Sequence, residues 1–179
     1  AYAPYNWSQP SADGGAVKIA GSNEYAYGYD VMIAKKLADS MGADLEIHKI
    51  EWDGLAPAVV SGKIDAAIAG MSITSKRKES VDFTKPYYYA TVVALVKKDS
   101  PQAQAKSVAD LKGSVATSQL NTIWYDQIDQ VPDVKKLPAI DNVPGMIVAL
   151  KSGKCNLIVT DIPTAKAAAF ANPELTMVT

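Results

Sequence analysis

A segment of this sequence recurs, without gaps, 91 residues further along the chain. Residues 54–65 (GLAPAVVSGKID) align with residues 145–156 (GMIVALKSGKCN), and the Ser-Gly-Lys triplet coincides. A glycine after a helix is a common helix stop, so the triplet alone has a simpler explanation. Because the match continues through a helix, a turn and an apolar strand, it predicts two lobes of similar architecture. The same register places Gly70 opposite Asp161.

Helical and strand patterns alternate along the chain. Apolar residues at helical spacing predict helices over 30–41, 54–62, 75–80, 108–112, 123–130, 143–151 and 163–171. Apolar runs and alternating patterns predict strands over 16–20, 45–50, 64–69, 90–96, 114–117, 155–160 and 175–179. This alternation predicts an α/β fold with largely parallel sheets. The polar segment 97–106 is the expected linker, which gives a lobe 1 of residues 1–96 and a lobe 2 of residues 97–179.

The predicted topology also indicates where a ligand binds. Gly70 and Asp161 each stand at the carboxyl end of a predicted strand. In open parallel sheets, ligands bind beyond that end of the strands. We therefore expect a ligand held in a cleft between the two lobes.

The residue counts exclude several classes of function. One cysteine, Cys155, and one histidine, His48, rule out a disulfide framework and Cys-rich or His-rich metal sites. A formal net charge of -1 gives no basic excess for nucleic acid, and no apolar run reaches the roughly 20 residues that span a bilayer. His48 falls on the polar face of a predicted strand, so a general acid or base would have to be an Asp or a Glu. None of the Asp or Glu residues stands out for that role. We expect a non-enzymatic, monomeric protein without metal or cofactor.

A series of short motifs resembles a known family. In chain order they are YAPYN (2–6), GYDVMIA (28–34), WDGL (52–55), SGKID (61–65), GMSITSKR (70–77), VDFTKPYY (81–88), DLKG (110–113) and VTD (159–161). Their types and order are similar to those of the bilobal solute-binding proteins of ABC importers, specifically the polar amino-acid group. The resemblance runs over nearly the whole chain.

The resemblance implies a fold and a function. The fold is a two-lobe, type II periplasmic-binding-protein-like clamshell, with the first strand and the C-terminal return to lobe 1 missing from this chain. The function is that of an extracytoplasmic protein, with its signal peptide removed, that captures a polar L-amino acid and delivers it to the membrane permease of an ABC importer. Amino-acid-sensing domains of receptor kinases and some dehydratases share the fold, and both stay open as alternatives.

The resemblance assigns a fixed charge to each end of the ligand. A zwitterionic amino acid needs both a cation and an anion in its binder, because burying either charge without a partner is very costly. By the resemblance, Arg77 binds the carboxylate with help from Ser72, and Asp161 binds the ammonium beside the Gly70 carbonyl. Without the resemblance, Arg77 is an ordinary solvated charge on a helix and Asp161 an ordinary helix cap.

Aromatic and loop residues complete the expected site. The resemblance assigns the remaining ligand contacts to Tyr2, Tyr5, Trp52, Met71, Gln119 and Thr122. The rings of Tyr2, Tyr5 and Trp52 flank the ligand side chain, and each attracts a basic side chain by on the order of 0.5–2 kcal/mol. Gln119 and Thr122 match a carboxylate-binding loop, from which Leu120 and Asn121 depart.

Further polar residues bear on the ligand side chain. Asn6, Ser118 and Gln119 favour a basic or amide side chain over an apolar one. The tyrosines at 87–89 are expected to be structural, packing lobe 1.

Overall fold

The computed structural model describes residues 2–179, which form two compact units. Unit 1 is Ala1–Tyr88 and unit 2 is Tyr89–Thr179. Each unit combines helices with a sheet of its own, which confirms the predicted α/β class. Within the described residues, no helix has the length and apolar content that crossing a bilayer requires.

Unit 1 contains a small antiparallel sheet and helices of unequal length. Its strands are β1 (Trp7–Gln9), β2 (Val17–Lys18) and β3 (Tyr25–Tyr27), in the order β1-β3-β2. Its α-helices are α1 (Tyr29–Met41), α2 (Leu55–Val60) and α3 (Ser75–Lys78). Short 3-10 turns lie at Asp13–Gly15 and Trp52–Gly54.

Helix α1 begins where two backbone segments come too close for a side chain. Gly28 has φ +124°, and a Cβ there would lie 2.4 Å from the Tyr5 carbonyl oxygen. That oxygen accepts the Asp30 N–H at 2.8 Å, so the N-terminal turn is tied to the start of the helix. Gly42 ends the helix in the left-handed region at φ +63°. The predicted amphipathic helix and its glycine stop are confirmed.

Two predicted strands of unit 1 do not form. One apolar cluster of the unit has Ile19, Ala26 and Val31 as buried members, with Val17 and Ile47 packed against them. The strand predictions over 45–50 and 64–69 are wrong, because Ile47 makes only an isolated bridge to Ile19 and 64–69 is irregular. A strand needs a neighbour whose N–H and C=O groups pair with its own, and an apolar pattern does not supply that neighbour.

Unit 2 is built on a larger mixed sheet. Its strands are β4 (Val92–Lys97), β5 (Val115–Thr117), β6 (Lys135–Lys136), β7 (Leu157–Asp161) and β8 (Leu175–Val178), in the order β6-β5-β7-β4-β8. Its α-helices are α4 (Ile123–Gln127), α5 (Val143–Lys151) and α6 (Ile162–Ala171). Short 3-10 turns lie at Pro101–Gln104, Val108–Leu111 and Ile128–Gln130. The sheet and helices enclose a core whose members include Val96, Ala116, Trp124, Ile128, Leu157 and Val159.

Parallel pairing is confined to one side of this sheet. Strand β5 runs parallel to β6 and β7, whereas β4 runs antiparallel to β7 and β8. The prediction of largely parallel sheets is therefore right for one side only. The strand predicted over 90–96 is β4, and it lies between β7 and β8 in unit 2.

The helix and turn of the internal repeat have the same hydrogen bonds in both units. At the end of α2, the Lys63 N–H donates to the Ala58 carbonyl at 2.9 Å, and at the end of α5 the Lys154 N–H donates to Ala149 at 3.0 Å. The glycine before each lysine is left-handed, with φ +70° in the first copy and +78° in the second. The strand of the repeat forms only in the second copy, as β7. The repeat thus predicted its helix and turn correctly and its first strand incorrectly.

Candidate functional site

Arg77 lies in α3, and its guanidinium is held from two sides. Nη1 donates to the Ser72 carbonyl at 2.7 Å, and Cζ lies 5.6 Å from the centroid of the Trp52 ring. Thr74 caps the helix, because its Oγ1 accepts the Arg77 N–H at 3.2 Å. Burial lowers the pKa of the guanidinium from its ordinary value, and the group still carries its charge at neutral pH. A half-buried, oriented cation differs from the solvated helix charge that the sequence alone allowed.

The other two rings of the expected site stack on each other. The rings of Tyr2 and Tyr5 are 5.0 Å apart at 11° between their planes, and Tyr88 meets Tyr5 edge-on at 5.8 Å. Tyr5 is only 4% exposed, so it supports the cluster, whereas Tyr2 is half-buried. Among the three aromatic residues assigned to the ligand, Tyr2 stacks on Tyr5, and Trp52 packs on the Arg77 guanidinium.

Gly70 joins the predicted binding loop to this aromatic stack. It has φ +61°, and a Cβ there would lie 3.3 Å from Cε1 of Tyr2. Its N–H donates to the hydroxyl of Tyr87 at 2.8 Å. Met71 and Ser72 follow it without regular structure, and the Ser72 carbonyl leads to Arg77 as described. The loop 70–72 is thus connected to both aromatic groups.

A buried carboxylate that the sequence analysis missed lies behind this loop. Asp30, 2% exposed, accepts from Tyr87 Oη and from Asn6 Nδ2, each at 2.8 Å. Desolvation raises the pKa of the Asp30 carboxyl, and these two hydrogen bonds offset part of that rise. Asp30 was recognised only as part of a helix entry and Tyr87 only as packing. The sequence carries no local signal that would bring residues 57 positions apart into contact.

In unit 2, Asp161 closes strand β7 and caps α6. It is 1% exposed, and its Oδ1 accepts the Thr164 N–H at 2.8 Å. The capping interpretation is confirmed by this bond. The ammonium-binding role that the resemblance implies stays a prediction.

The Gln119–Thr122 loop follows strand β5 and is held by hydrogen bonds within it and to the neighbouring segment at Asp141. Gln119 Nε2 donates to the Asp141 carbonyl at 3.1 Å, and Thr122 Oγ1 donates to the Gln119 carbonyl at 2.8 Å. Asn121, where the sequence departs from the family pattern, has a left-handed φ of 55°. These bonds give the loop a defined shape.

The sheet brings this loop and Asp161 to one edge. Thr117 of β5 pairs with Ile158 of β7 in a parallel ladder, so the residues after both strands leave the same edge. Ser118 ties the two strands together there, since its buried Oγ donates to the Val159 carbonyl at 2.7 Å. The Ser118 hydroxyl therefore donates to a group of the protein itself, as the Asn6 amide does to Asp30. The carboxyl end of parallel strands is where ligands bind in open α/β sheets.

The comparison with known families decides the classification. The model of the family described as "Bacterial extracellular solute-binding proteins, family 3" matches residues 17–137, which is more than half of the chain. The chain belongs to this family. The resemblance stated from the motifs is confirmed, and the members of the family are solute-binding proteins rather than enzymes.

Curated relatives of this family 3 protein have similar sequences and greater length. It is 33% identical over 174 residues to the "Probable histidine-binding protein" of Campylobacter jejuni, a match that covers 97% of this chain and 62% of the relative. It is also 33% identical over 160 residues to "ABC transporter arginine-binding protein 1" of Escherichia coli K12, covering 89% of this chain and 64% of the relative. The chain thus spans a little under two thirds of the length of both relatives.

Solved structures share the fold of this family 3 protein. An ancestral arginine-binding protein bound to glutamine is 33% identical, with a TM-score of 0.82, and the match covers 99% of this chain and 73% of that chain. This likeness confirms the predicted type II periplasmic-binding-protein-like fold.

Proposed function

We propose that this protein binds a polar L-amino acid with a basic or amide side chain, outside the cytoplasm, and delivers it to the permease of an ABC importer. The observation that carries the proposal is the half-buried guanidinium of Arg77, oriented by the Ser72 carbonyl and the Trp52 ring. A cation fixed in this way is suited to a carboxylate, which a guanidinium binds through two parallel hydrogen bonds.

Asp161 is the proposed partner of the ligand ammonium. It is a buried carboxylate at the sheet edge of unit 2, and one of its oxygens already accepts the Thr164 N–H. An ammonium buried without an anion is very costly, so a zwitterion requires a group of this kind. The Gly70 carbonyl is a further proposed acceptor for the ammonium. Arg77 and Asp161 together select a molecule that carries both an α-carboxylate and an α-ammonium.

The relatives support a basic or amide side chain. Two curated relatives carry histidine and arginine in their names, and an ancestral arginine-binding protein has been solved with glutamine bound. The half-buried ring of Tyr2 and the loop 119–122 are the proposed contacts for such a side chain. An aromatic ring favours a cationic group over a neutral one by cation–π attraction.

A thermal-shift panel tests this proposal. We expect one or a few L-amino acids with basic or amide side chains, at about 100 times their Kd, to add roughly 2.7 kcal/mol and to raise the Tm of the chain by about 5–10 °C. D-amino acids and dicarboxylates serve as controls, since they reverse the stereochemistry or lack the ammonium. A folded protein that no L-amino acid stabilises would contradict the proposal and favour a different class of ligand.

A further inference from the structure

Three segments of unit 1 meet at the buried carboxylate of Asp30. The side chain accepts from Asn6 in the N-terminal turn and from Tyr87 near the end of the unit, each at 2.8 Å. The backbone N–H of Asp30 donates to the Tyr5 carbonyl, also at 2.8 Å. Asp30 thereby fixes the positions of the N-terminal turn, the start of α1 and the segment around Tyr87.

A second hydrogen bond of Tyr87 links Asp30 to the binding loop 70–72. An ionised carboxylate can only accept, so the hydroxyl proton of Tyr87 points to Asp30 Oδ1. An oxygen lone pair of the same hydroxyl is then directed to Gly70, whose N–H donates to it at 2.8 Å. Burial, together with the negative charge of Asp30, raises the pKa of the Tyr87 phenol well above its usual range. The phenol therefore stays protonated. The two hydrogen bonds keep one direction, from the Gly70 N–H to the Tyr87 oxygen and from the Tyr87 O–H to Asp30.

The hydrogen bond to Tyr87 matters for Gly70 because the local backbone is not held by regular secondary structure. Gly70 lies in an irregular segment, and its φ of +61° is one that glycine adopts without strain. The Tyr2 ring lies close enough that a Cβ on Gly70 would be 3.3 Å from it. The hydrogen bond to Tyr87 sets the peptide on the N-terminal side of Gly70.

Packing alone does not account for the Asp30–Tyr87 pair. Burying a carboxylate carries a desolvation cost, which is visible as the raised pKa of Asp30. Apolar side chains of similar volume would fill the same space without that cost. A strictly directional donor and acceptor are useful where a neighbouring peptide must hold one orientation.

We infer that Asp30 and Tyr87 are positioning residues for the ligand, which act by fixing the Gly70 N–H and, through the backbone of that residue, the direction of the Gly70 carbonyl that follows it. The inference rests on the proposed function, since it gives the Gly70 carbonyl a ligand to bind. Neither residue needs to touch the ligand. Their effect reaches it through the loop 70–72.

Tyr87→Phe tests the inference by removing the hydroxyl while keeping the ring. We expect the affinity for the amino acid found in the panel to fall about tenfold, because the half-buried Gly70 N–H loses its acceptor. Tyr89→Phe is the matched control, since Tyr89 is 82% exposed and loses the same hydroxyl. Asp30→Asn should keep affinity within about threefold, because its amide oxygen still accepts from Tyr87 while its NH2 donates to the Asn6 amide oxygen once the Asn6 amide turns over. Asp30→Ala should lose about as much affinity as Tyr87→Phe.

The Gly70 amide reports whether each substitution changes the binding loop, and the affinity reports whether that change reaches the ligand. Labelling with [15N]glycine gives signals from the 11 glycines, and Gly70→Ala identifies the one from residue 70. We expect this signal to shift and its hydrogen exchange to accelerate in Tyr87→Phe and Asp30→Ala, but not in Tyr89→Phe.

The outcomes separate this inference from the proposed function. If the wild-type chain binds an amino acid and Tyr87→Phe binds it equally well, whether or not the Gly70 signal shifts, the inference is overturned and the proposed function stands. The same holds if Tyr87→Phe only lowers the Tm. If the wild-type chain binds no amino acid, the proposed function fails and the inference fails with it.

Discussion

Arg77→Ala is expected to lower the affinity for the proposed amino-acid ligand by about 100- to 4,000-fold. Removing one member of a buried charge pair costs about 3–5 kcal/mol, because the other member is left without a partner, and each 1.4 kcal/mol corresponds to about a factor of ten in Kd. The partner here is the proposed ligand carboxylate. Isothermal titration calorimetry measures the change directly.

Two further substitutions in α3 serve as controls for Arg77→Ala. Lys78→Ala removes an exposed positive charge one position away and should leave Kd unchanged. Arg77→Lys keeps the charge but loses the planar fork, so its affinity should fall between those of the wild type and the alanine variant. An Arg77→Ala protein that binds the amino acid within about threefold of the wild type would remove Arg77 from the site.

Asp161→Asn separates the two functions of that residue. Asparagine is as good a helix cap as aspartate, so the bond to the Thr164 N–H survives and the unfolding free energy changes little. The charge proposed to bind the ligand ammonium is lost, however, and affinity should fall by about 100-fold. Titration calorimetry and urea denaturation of the same preparation measure both quantities.

Alanine variants of two N-cap residues, Asp161 and Asn142, distinguish the loss of a helix cap from the loss of the charge. Asp161→Ala should lose the affinity and also about 0.5–2 kcal/mol of unfolding free energy, because the cap goes with the charge. Asn142 caps α5 in the same way, with Oδ1 accepting the Gly145 N–H at 2.9 Å, so Asn142→Ala should lose stability but keep affinity. Full affinity in Asp161→Asn would show that Asp161 is only a cap.

Helices were predictable from the sequence because their signals are local. The spacing of apolar residues and the glycine at the C-terminus defined α1, and Ser-Gly-Lys defined the ends of α2 and α5. Strands were less predictable, because pairing depends on distant residues. Segment 64–69 is as apolar as β7, yet only β7 has neighbouring strands to pair with among the described residues.

The local setting of two candidate residues was predictable from the sequence, whereas their roles toward a ligand stay predictions. Arg77 lies in a helix after the loop 70–72, and Asp161 lies at a strand end, as the sequence predicts. The stacking of Tyr2 on Tyr5 was not predictable, since it depends on a tight turn. The contact of Asp30 with Tyr87 depends on the tertiary fold.

Calorimetric titration with analogues of one amino acid tests the central claim most directly. L-Arginine and L-glutamine represent the two side-chain classes, agmatine is arginine without its carboxylate, and 5-guanidinopentanoate is arginine without its α-ammonium. The account predicts that at least one of the two amino acids binds and that agmatine and 5-guanidinopentanoate bind at least about 100-fold more weakly than that amino acid. If agmatine binds as tightly as the amino acid that binds, the protein does not recognise the zwitterion and the account is wrong.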